Sequence, residues 1–342
     1  MVRVLAVEPK PEYQEWFKDV INSGVGIDLI FVAIDVESAV SFSKELMPDL
    51  VLIGPGLNFE DARALCENLA LIFPSLPVLM VSRIFAHDEM FAAMSAGALD
   101  VLPFTLGTLD IDLPEKLRDK IKLYAEVNSL DHGSKVETKS NISWIDGGHI
   151  PAASDVEIVA IGASTGGPQV IHKILAPLPV NFPCAIVIVQ HLPPHWGQTV
   201  VDWLSERLLM PVKLVRELET PEPGVIYVAD PVSCWELTSE RMFLSLDNHL
   251  INKDMPSIDT FFLSVAKHYA SKAIGIILTG MGADGAKGLN AMKQKGAFTI
   301  VQEEQSCMIF GMPRKALSED PTHVVLDPLG IRTVLLNLAR GV

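Results

Sequence analysis

Twice along this chain, short runs of β-branched and apolar residues alternate with longer amphipathic stretches, and a polar segment separates the two series. No other feature constrains the fold as much. In the first series the apolar runs fall at 2–7, 28–34, 49–53, 77–82 and 100–102, with helix-like stretches at about 10–22, 36–46, 60–72, 87–96 and 113–127. Five βα units predict a parallel sheet with helices on both faces. Residues 131–156 are polar and turn-rich, carry no sustained apolar period and read as a linker. Alternation then resumes, with predicted strands at 157–161, 184–190, 212–215, 225–229 and 273–279 and helices at 166–176, 198–209, 257–271, 285–295 and 330–340. The expected organisation is a domain over 1–128, a linker over 129–155 and a second, doubly wound and mostly parallel α/β domain over 156–342.

A length of 342 residues fits two domains, each able to bury its own core. The 27 lysines and arginines against 42 aspartates and glutamates give a formal net charge of −15, and no basic face stands out. Phosphate neutralisation needs such a face, so no nucleic-acid partner is expected. Cys66, Cys184, Cys234 and Cys307 are widely spaced and form no metal-type cluster, which suits reduced thiols in a cytosol. The apolar start is broken by Glu8 and Pro9, and no run of about 20 apolar residues follows, so no export signal and no membrane insertion are expected.

Three predicted strand ends carry reactive residue types. The strand EIVAIG runs into Gly162-Ala163-Ser164-Thr165-Gly166-Gly167 and then a helix. Gly162 to Gly166 fits G-x-S-x-G, in which a serine on a tight strand-to-helix turn projects its hydroxyl above the sheet. The Thr165 amide and the positive end of the helix would then face an oxyanion. A dinucleotide loop is the competing reading, but Ser164 replaces its second glycine and no acidic residue ends the next strand. An ordinary glycine turn is another. The strand AIVIVQ ends at His191, where a base could reach Ser164; His195, in the same loop, is its rival, while His172 and His268 lie inside helices. The third strand runs into Gly280-Met281-Gly282-Ala283-Asp284-Gly285-Ala286-Lys287, which is no phosphate loop because Ala286 separates the glycine from the lysine. Asp284 either orients a histidine or caps the helix that follows. Pro256-Ser257-Ile258-Asp259 reads as an N-cap with a first-turn carboxylate, and Trp196 and Trp203 as one apolar helix face.

The stretches IGASTGGP at 161–168, VIVQHLPP at 187–194, AIGIILTGMGADGAKGL at 273–289 and SCMIFGMPRKAL at 306–317 resemble the catalytic domain of the chemotaxis protein-glutamate methylesterases. The resemblance implies a catalytic triad of Ser164, His191 and Asp284 and an oxyanion hole from the amides of Thr165 and Met281. It implies hydrolysis of glutamate γ-methyl esters on the cytoplasmic helices of chemoreceptors, with no metal or organic cofactor. It extends to deamidation of receptor glutamine, since an amide passes through a similar tetrahedral intermediate. The first 125 or so residues resemble the flavodoxin-like receiver domain that precedes this catalytic domain in the family.

Both resemblances break at particular residues. A receiver has an acidic pair after its first strand where this chain has Glu8-Pro9, a phosphoacceptor aspartate where it has Gly54, and a lysine where it has Phe104; Ser82 survives at the hydroxyl position. The expected consequence is a pseudo-receiver, with no phosphorylation and no metal there. In the second domain Trp196, Gly197 and Trp203 replace the family's F-T-x-S-F-A-x-R-L pattern, Met255 stands for an arginine and Asp230 interrupts a Y-x-A-P-G stretch. The alternative to an esterase is a catalytically weak adaptor that binds receptor or chemosensory kinase components. Nucleotide binding is disfavoured by both broken glycine fingerprints.

Overall fold

Four successive fully buried residues at the end of the run Val2–Val7 place it inside a sheet as β1, and the four-residue Leu50–Ile53 is buried throughout as β3. Strands apolar on both faces belong to parallel sheets covered by helices. The structure, a computed structural model, describes residues 1–73, 76–83, 87–104, 113–130, 151–192, 196–246 and 257–340. Most of the linker segment lies outside these residues. The chain divides into two compact units, Met1–Val136 and Glu137–Val342.

In the first unit β1 is followed by α1 (Pro11–Asn22), β2 (Ile27–Ala33), α2 (Val36–Leu46), β3, α3 (Phe59–Ile72), β4 (Val78–Ser82), α4 (His87–Ala96), β5 (Asp100–Pro103) and α5 (Leu113–Leu130). The all-parallel order is β2-β1-β3-β4-β5. That is the flavodoxin-like order, with its switch point between β1 and β3. Asp35 starts α2 with a capping box, its carboxylate accepting from the Ser38 amide at 2.8 Å.

The second unit contains β6 (Ile158–Ala163), α6 (Gly167–Leu175), β7 (Ala185–Gln190), α7 (Gly197–Ser205), β8 (Val212–Leu214), β9 (Ile226–Val228), β10 (Cys234–Leu237), β11 (Phe243–Leu246), α8 (Ser257–His268), β12 (Ala273–Ile277), α9 (Ala286–Gln294), β13 (Phe298–Gln302), α10 (Met312–Glu319), β14 (Val324–Leu326) and α11 (Pro328–Arg340). Seven strands form one parallel sheet in the order β14-β13-β12-β6-β7-β9-β8, and β10 and β11 pair antiparallel beside it. The chain winds outward from β6 through β7 toward β8, then returns to β12 on the other flank of β6 and winds out to β14. In sheets of this kind the ligand crevice lies beyond the carboxyl ends of the strands where the winding reverses, here β6, β7 and β12.

Several elements have no counterpart in the sequence reading: β10, β11, β13, β14 and α10. Each is short, three to eight residues. A run of that length is too brief for its periodicity to separate strand from helix or turn.

Candidate active site

Parallel registers set the geometry of the crevice before any side chain is considered. Ala163 pairs with Gln190 across β6 and β7, and Gly162 pairs with Ile277 across β6 and β12. Ser164 and His191 are thus the next residues on neighbouring strands, which run about 4.8 Å apart. The His191 amide extends the ladder by donating to Ala163 O at 3.0 Å, and Ser164 N donates to Thr279 O at 3.0 Å on the opposite side. The segment carrying Ser164 is held from both flanks.

The chain then turns sharply into α6. Gly166 adopts φ +79°, which a side chain would strain, and the Gly167 amide donates back to Ser164 O at 2.9 Å. Pro168, at the start of α6, needs no amide partner. Gly280 closes the other side: a Cβ there would lie 2.6 Å from Ser164 Cβ and 3.1 Å from Ser164 N. Ser164 itself is half-buried, and its hydroxyl has no hydrogen-bond partner among the described residues.

His191 Nε2 lies 2.7 Å from Asp284 Oδ2, which leaves Nδ1 as the nitrogen free to accept a proton. The carboxylate also accepts from Ile258 N at 3.0 Å on Oδ2 and from Asp259 N at 2.8 Å on Oδ1. Burial by itself raises the Asp284 carboxyl, but the bonds from His191 and the two amides outweigh it and hold the group below the usual carboxylate range. The capping alternative is thereby corrected. Asp284 does not cap the helix that follows it, α9, whose N-cap residue is Gly285; its carboxylate instead accepts from amides in the first turn of α8. A carboxylate at a helix N-terminus also meets the positive end of its dipole.

Two amides next to these strand ends have no protein acceptor among the described residues, those of Thr165 and Met281. Each belongs to a peptide whose carbonyl is doubly held. Ser164 O accepts from Gly167 N and from Gln190 Nε2, at 2.9 and 2.7 Å. Gly280 O accepts from Gly311 N and Met312 N, at 3.1 and 2.9 Å. A trans peptide is planar, so fixing the carbonyl aims the N–H the opposite way.

Two further residues were not singled out by sequence reading, and a third, Asp259, was read only as part of a helix start. Gln190 is buried behind Ser164. Thr279 donates from Oγ1 to Thr165 O at 3.0 Å and accepts there from Ile309 N at 2.9 Å. Asp259, read as a simple first-turn carboxylate, is buried and accepts from Gly288 N at 2.7 Å, so α8 and α9 each have their amides capped by an aspartate of the other segment. Burial, and then the Asp284 charge, push the Asp259 carboxyl up. Their only sequence signal is an uncharged or acidic polar residue inside an otherwise apolar pattern.

The remaining candidates sort as follows. Trp196 is buried, and Trp203 packs edge-on against His172 at 5.4 Å between ring centres. Gly197 and Asp230 are neighbours: a Cβ on Gly197 would lie 3.6 Å from Asp230 Cα and 2.9 Å from Leu214 Cδ2. His195 and Met255 lie outside the described residues.

In the first unit, Glu8, Gly54, Ser82 and Phe104 fall at or just beyond the carboxyl ends of β1, β3, β4 and β5. Glu8 is fully buried and folds across Gly54 and Gly56. Its carboxylate accepts from Lys10 N at 2.7 Å and from Gly56 N at 2.8 Å. Burial still raises its carboxyl above the ordinary value. A Cβ at Gly54 would collide with Glu8 Oε2 and lie 2.7 Å from Phe17 Cε2. Phe104 packs edge-on against Tyr13 and Trp16, at 5.6 and 5.1 Å. Gly54→Asp is therefore expected to destabilise the chain by about 3 kcal/mol, from overpacking and a second buried carboxylate, and to lower its melting temperature by roughly 10 °C. A thermal scan checks this.

Comparison with known proteins agrees with this architecture. The family model described as CheB methylesterase matches residues 159–335. Protein-glutamate methylesterase/protein-glutamine glutaminase of Salmonella typhimurium is 32% identical over 334 residues, 95% of this chain and 93% of that protein, and its Escherichia coli counterpart matches with the same identity and coverage. The crystal structure of the Thermotoga maritima CheB methylesterase catalytic domain superposes with a TM-score of 0.50 at 34% identity, covering 54% of this chain and 98% of that domain. With a family model spanning more than half of its length and relatives aligned along nearly all of it, this chain belongs to the CheB methylesterase family.

Proposed function

We propose that the chain is a serine-type protein-glutamate methylesterase and protein-glutamine deamidase, acting in the cytoplasm on the methylated helices of chemoreceptors. The observation that carries this reading is the 2.7 Å His191–Asp284 bond at the strand end beside Ser164, next to two amides with no acceptor among the described residues. Among the described residues no helix is long and apolar enough to cross a membrane.

In this reading the Ser164 hydroxyl attacks the ester carbonyl while His191 Nδ1 takes its proton. Asp284 holds the Nε2–H tautomer and stabilises the imidazolium that forms. The carbonyl oxygen becomes an oxyanion received by the Thr165 and Met281 amides. Collapse expels methanol, which takes the proton from His191 and leaves an acyl-enzyme. Water then attacks with His191 as base, releasing the free glutamate and restoring Ser164. Ammonia leaves instead of methanol when the substrate is glutamine.

The first unit, in the same reading, is a pseudo-receiver that takes no phosphoryl group. The Glu8 side chain fills the space in front of Gly54, and Gly54 has no carboxylate to phosphorylate. Incubation of the full chain with acetyl phosphate and magnesium should leave residues 1–128 unlabelled, and an acid-labile phosphoaspartate there would overturn the assignment. The esterase reading is tested with receptor membranes carrying radiolabelled methyl esters. Volatile methanol should be released and glutamate recovered; neither methanol release nor deamidation would refute it.

A further inference from the structure

Gln190 ends β7 and is only 5% exposed, yet it is polar and one of its amide atoms has no partner among the described residues. Its Nε2 donates to Ser164 O at 2.7 Å and to His191 O at 3.0 Å. Both acceptors are carbonyl oxygens, so the chemistry fixes which end of the amide faces them. The other end, Oε1, points toward the start of α6, where a Cβ on Gly167 would collide with it. The second glycine of the Gly166-Gly167 pair thus makes room for this side chain. An apolar residue at 190 would fill the same volume without an orphaned buried oxygen.

We propose that Gln190 is a positioning residue for acyl transfer: by pinning Ser164 O and His191 O with a single amide, it aims the Thr165 N–H into the crevice and ties the base to the nucleophile turn. The inference rests on the esterase reading above. Ser164 O accepts two hydrogen bonds, and the Gly167 amide supplies only one of them. Without Gln190 Nε2 the peptide can rock about the remaining bond, and the Thr165 N–H swings with it because the group is planar. Thr279 Oγ1 restrains the following carbonyl, that of Thr165, and so cannot replace the lost bond. An oxyanion donor must be aimed at where charge develops, so misalignment lowers the rate of the chemical steps and leaves substrate binding largely untouched.

The test uses the full chain and two near-isosteric variants. Gln190→Met keeps length and volume but has no donor. Its kcat for methanol release should fall about 10- to 100-fold with KM within about twofold and a melting temperature within a few degrees of the parent's, the lost donor bonds offsetting removal of the orphaned oxygen. Gln190→Glu can donate only as the protonated acid, a form favoured between two carbonyl oxygens. Its activity divided by the parent's should therefore rise as pH falls from 8 to 6. A Gln190→Met variant with kcat within twofold of the parent, or a flat Gln190→Glu ratio, overturns the proposal. If Gln190→Met does not fold, the Gln190→Glu ratio decides. The rate of Ser164 phosphonylation by a fluorophosphonate is measured alongside, because it uses the same nucleophile and oxyanion donors. A parent that is phosphonylated but releases no methanol would sink the substrate reading, and the variants' phosphonylation rates would still judge Gln190.

Discussion

Ser164→Ala is expected to lower kcat for methanol release by about 10⁶-fold, leaving a residue of activity from binding and the oxyanion donors alone. The fold should not notice. The Ser164 hydroxyl has no partner among the described residues, and the bonds that shape its turn engage its backbone and not that hydroxyl: Ser164 N to Thr279 O, and Gly167 N and Gln190 Nε2 to Ser164 O. Removing one half-buried oxygen therefore strands no donor or acceptor, and the melting temperature should stay within about 1 °C of the parent. His191→Ala should fall to a similar floor, and the double variant no lower, because nucleophile and base act as one unit. Single-turnover release of labelled methanol, beside a thermal scan, measures both. Activity within 100-fold of the parent in Ser164→Ala would mean that another group is the nucleophile.

The second large effect is expected from Asp284→Asn, and it should strike rate and stability together. The rate loss should reach about 10⁴-fold, because an amide no longer selects the histidine tautomer with its proton on the buried nitrogen. The stability loss follows from the donor count. Asp284 accepts from His191 and Ile258 N on Oδ2 and from Asp259 N on Oδ1, so either orientation of the asparagine amide sets Nδ2 against a donor. Losing charge-assisted bonds and the charge at the start of α8 should cost about 2–4 kcal/mol. The pH dependence has a definite sign. The Asp284 carboxyl is held below its ordinary 3.8, so its contribution is complete above that value and fades as pH drops through the lower folded value. The stability gap between parent and Asn variant should be widest near neutrality and shrink below about pH 4. Urea unfolding at pH 7 and pH 3 measures it.

Much of the fold was legible because its long strands are buried on both faces. Val2–Val7, Ala185–Gln190 and Ala273–Ile277 read as continuous apolar runs, and the helices between them are long enough to show their period. Val324–Leu326 and Met312–Glu319 are too short for that, and they become strand and helix only because β13 and the flank of the sheet are already there to receive them. The site divides in the same way. Serine, histidine and aspartate at successive strand ends can be read from sequence, since a parallel sheet gathers its carboxyl ends on one edge. What Asp284 grips could not be, because Ile258 and Asp259 are 26 and 25 residues away along the chain. Gln190 and Thr279 were hidden for another reason: each sits at the end of an apolar strand, where a single polar residue looks like ordinary punctuation.

The way Glu8 lies over Gly54 has a mutational consequence. In an open acidic pocket, restoring an aspartate at position 54 would be one step toward a working phosphoacceptor. Here that step lands on an occupied space, since Glu8 Oε2 already fills the position of the new Cβ. Glu8→Ala alone opens a hole and strands the Lys10 and Gly56 amides that the carboxylate now satisfies. Each single change is harmful, whereas the pair Glu8→Ala with Gly54→Asp places a carboxylate back near those amides without the collision. The two positions are coupled through one space, and the double variant should be more stable than Gly54→Asp alone in a thermal scan.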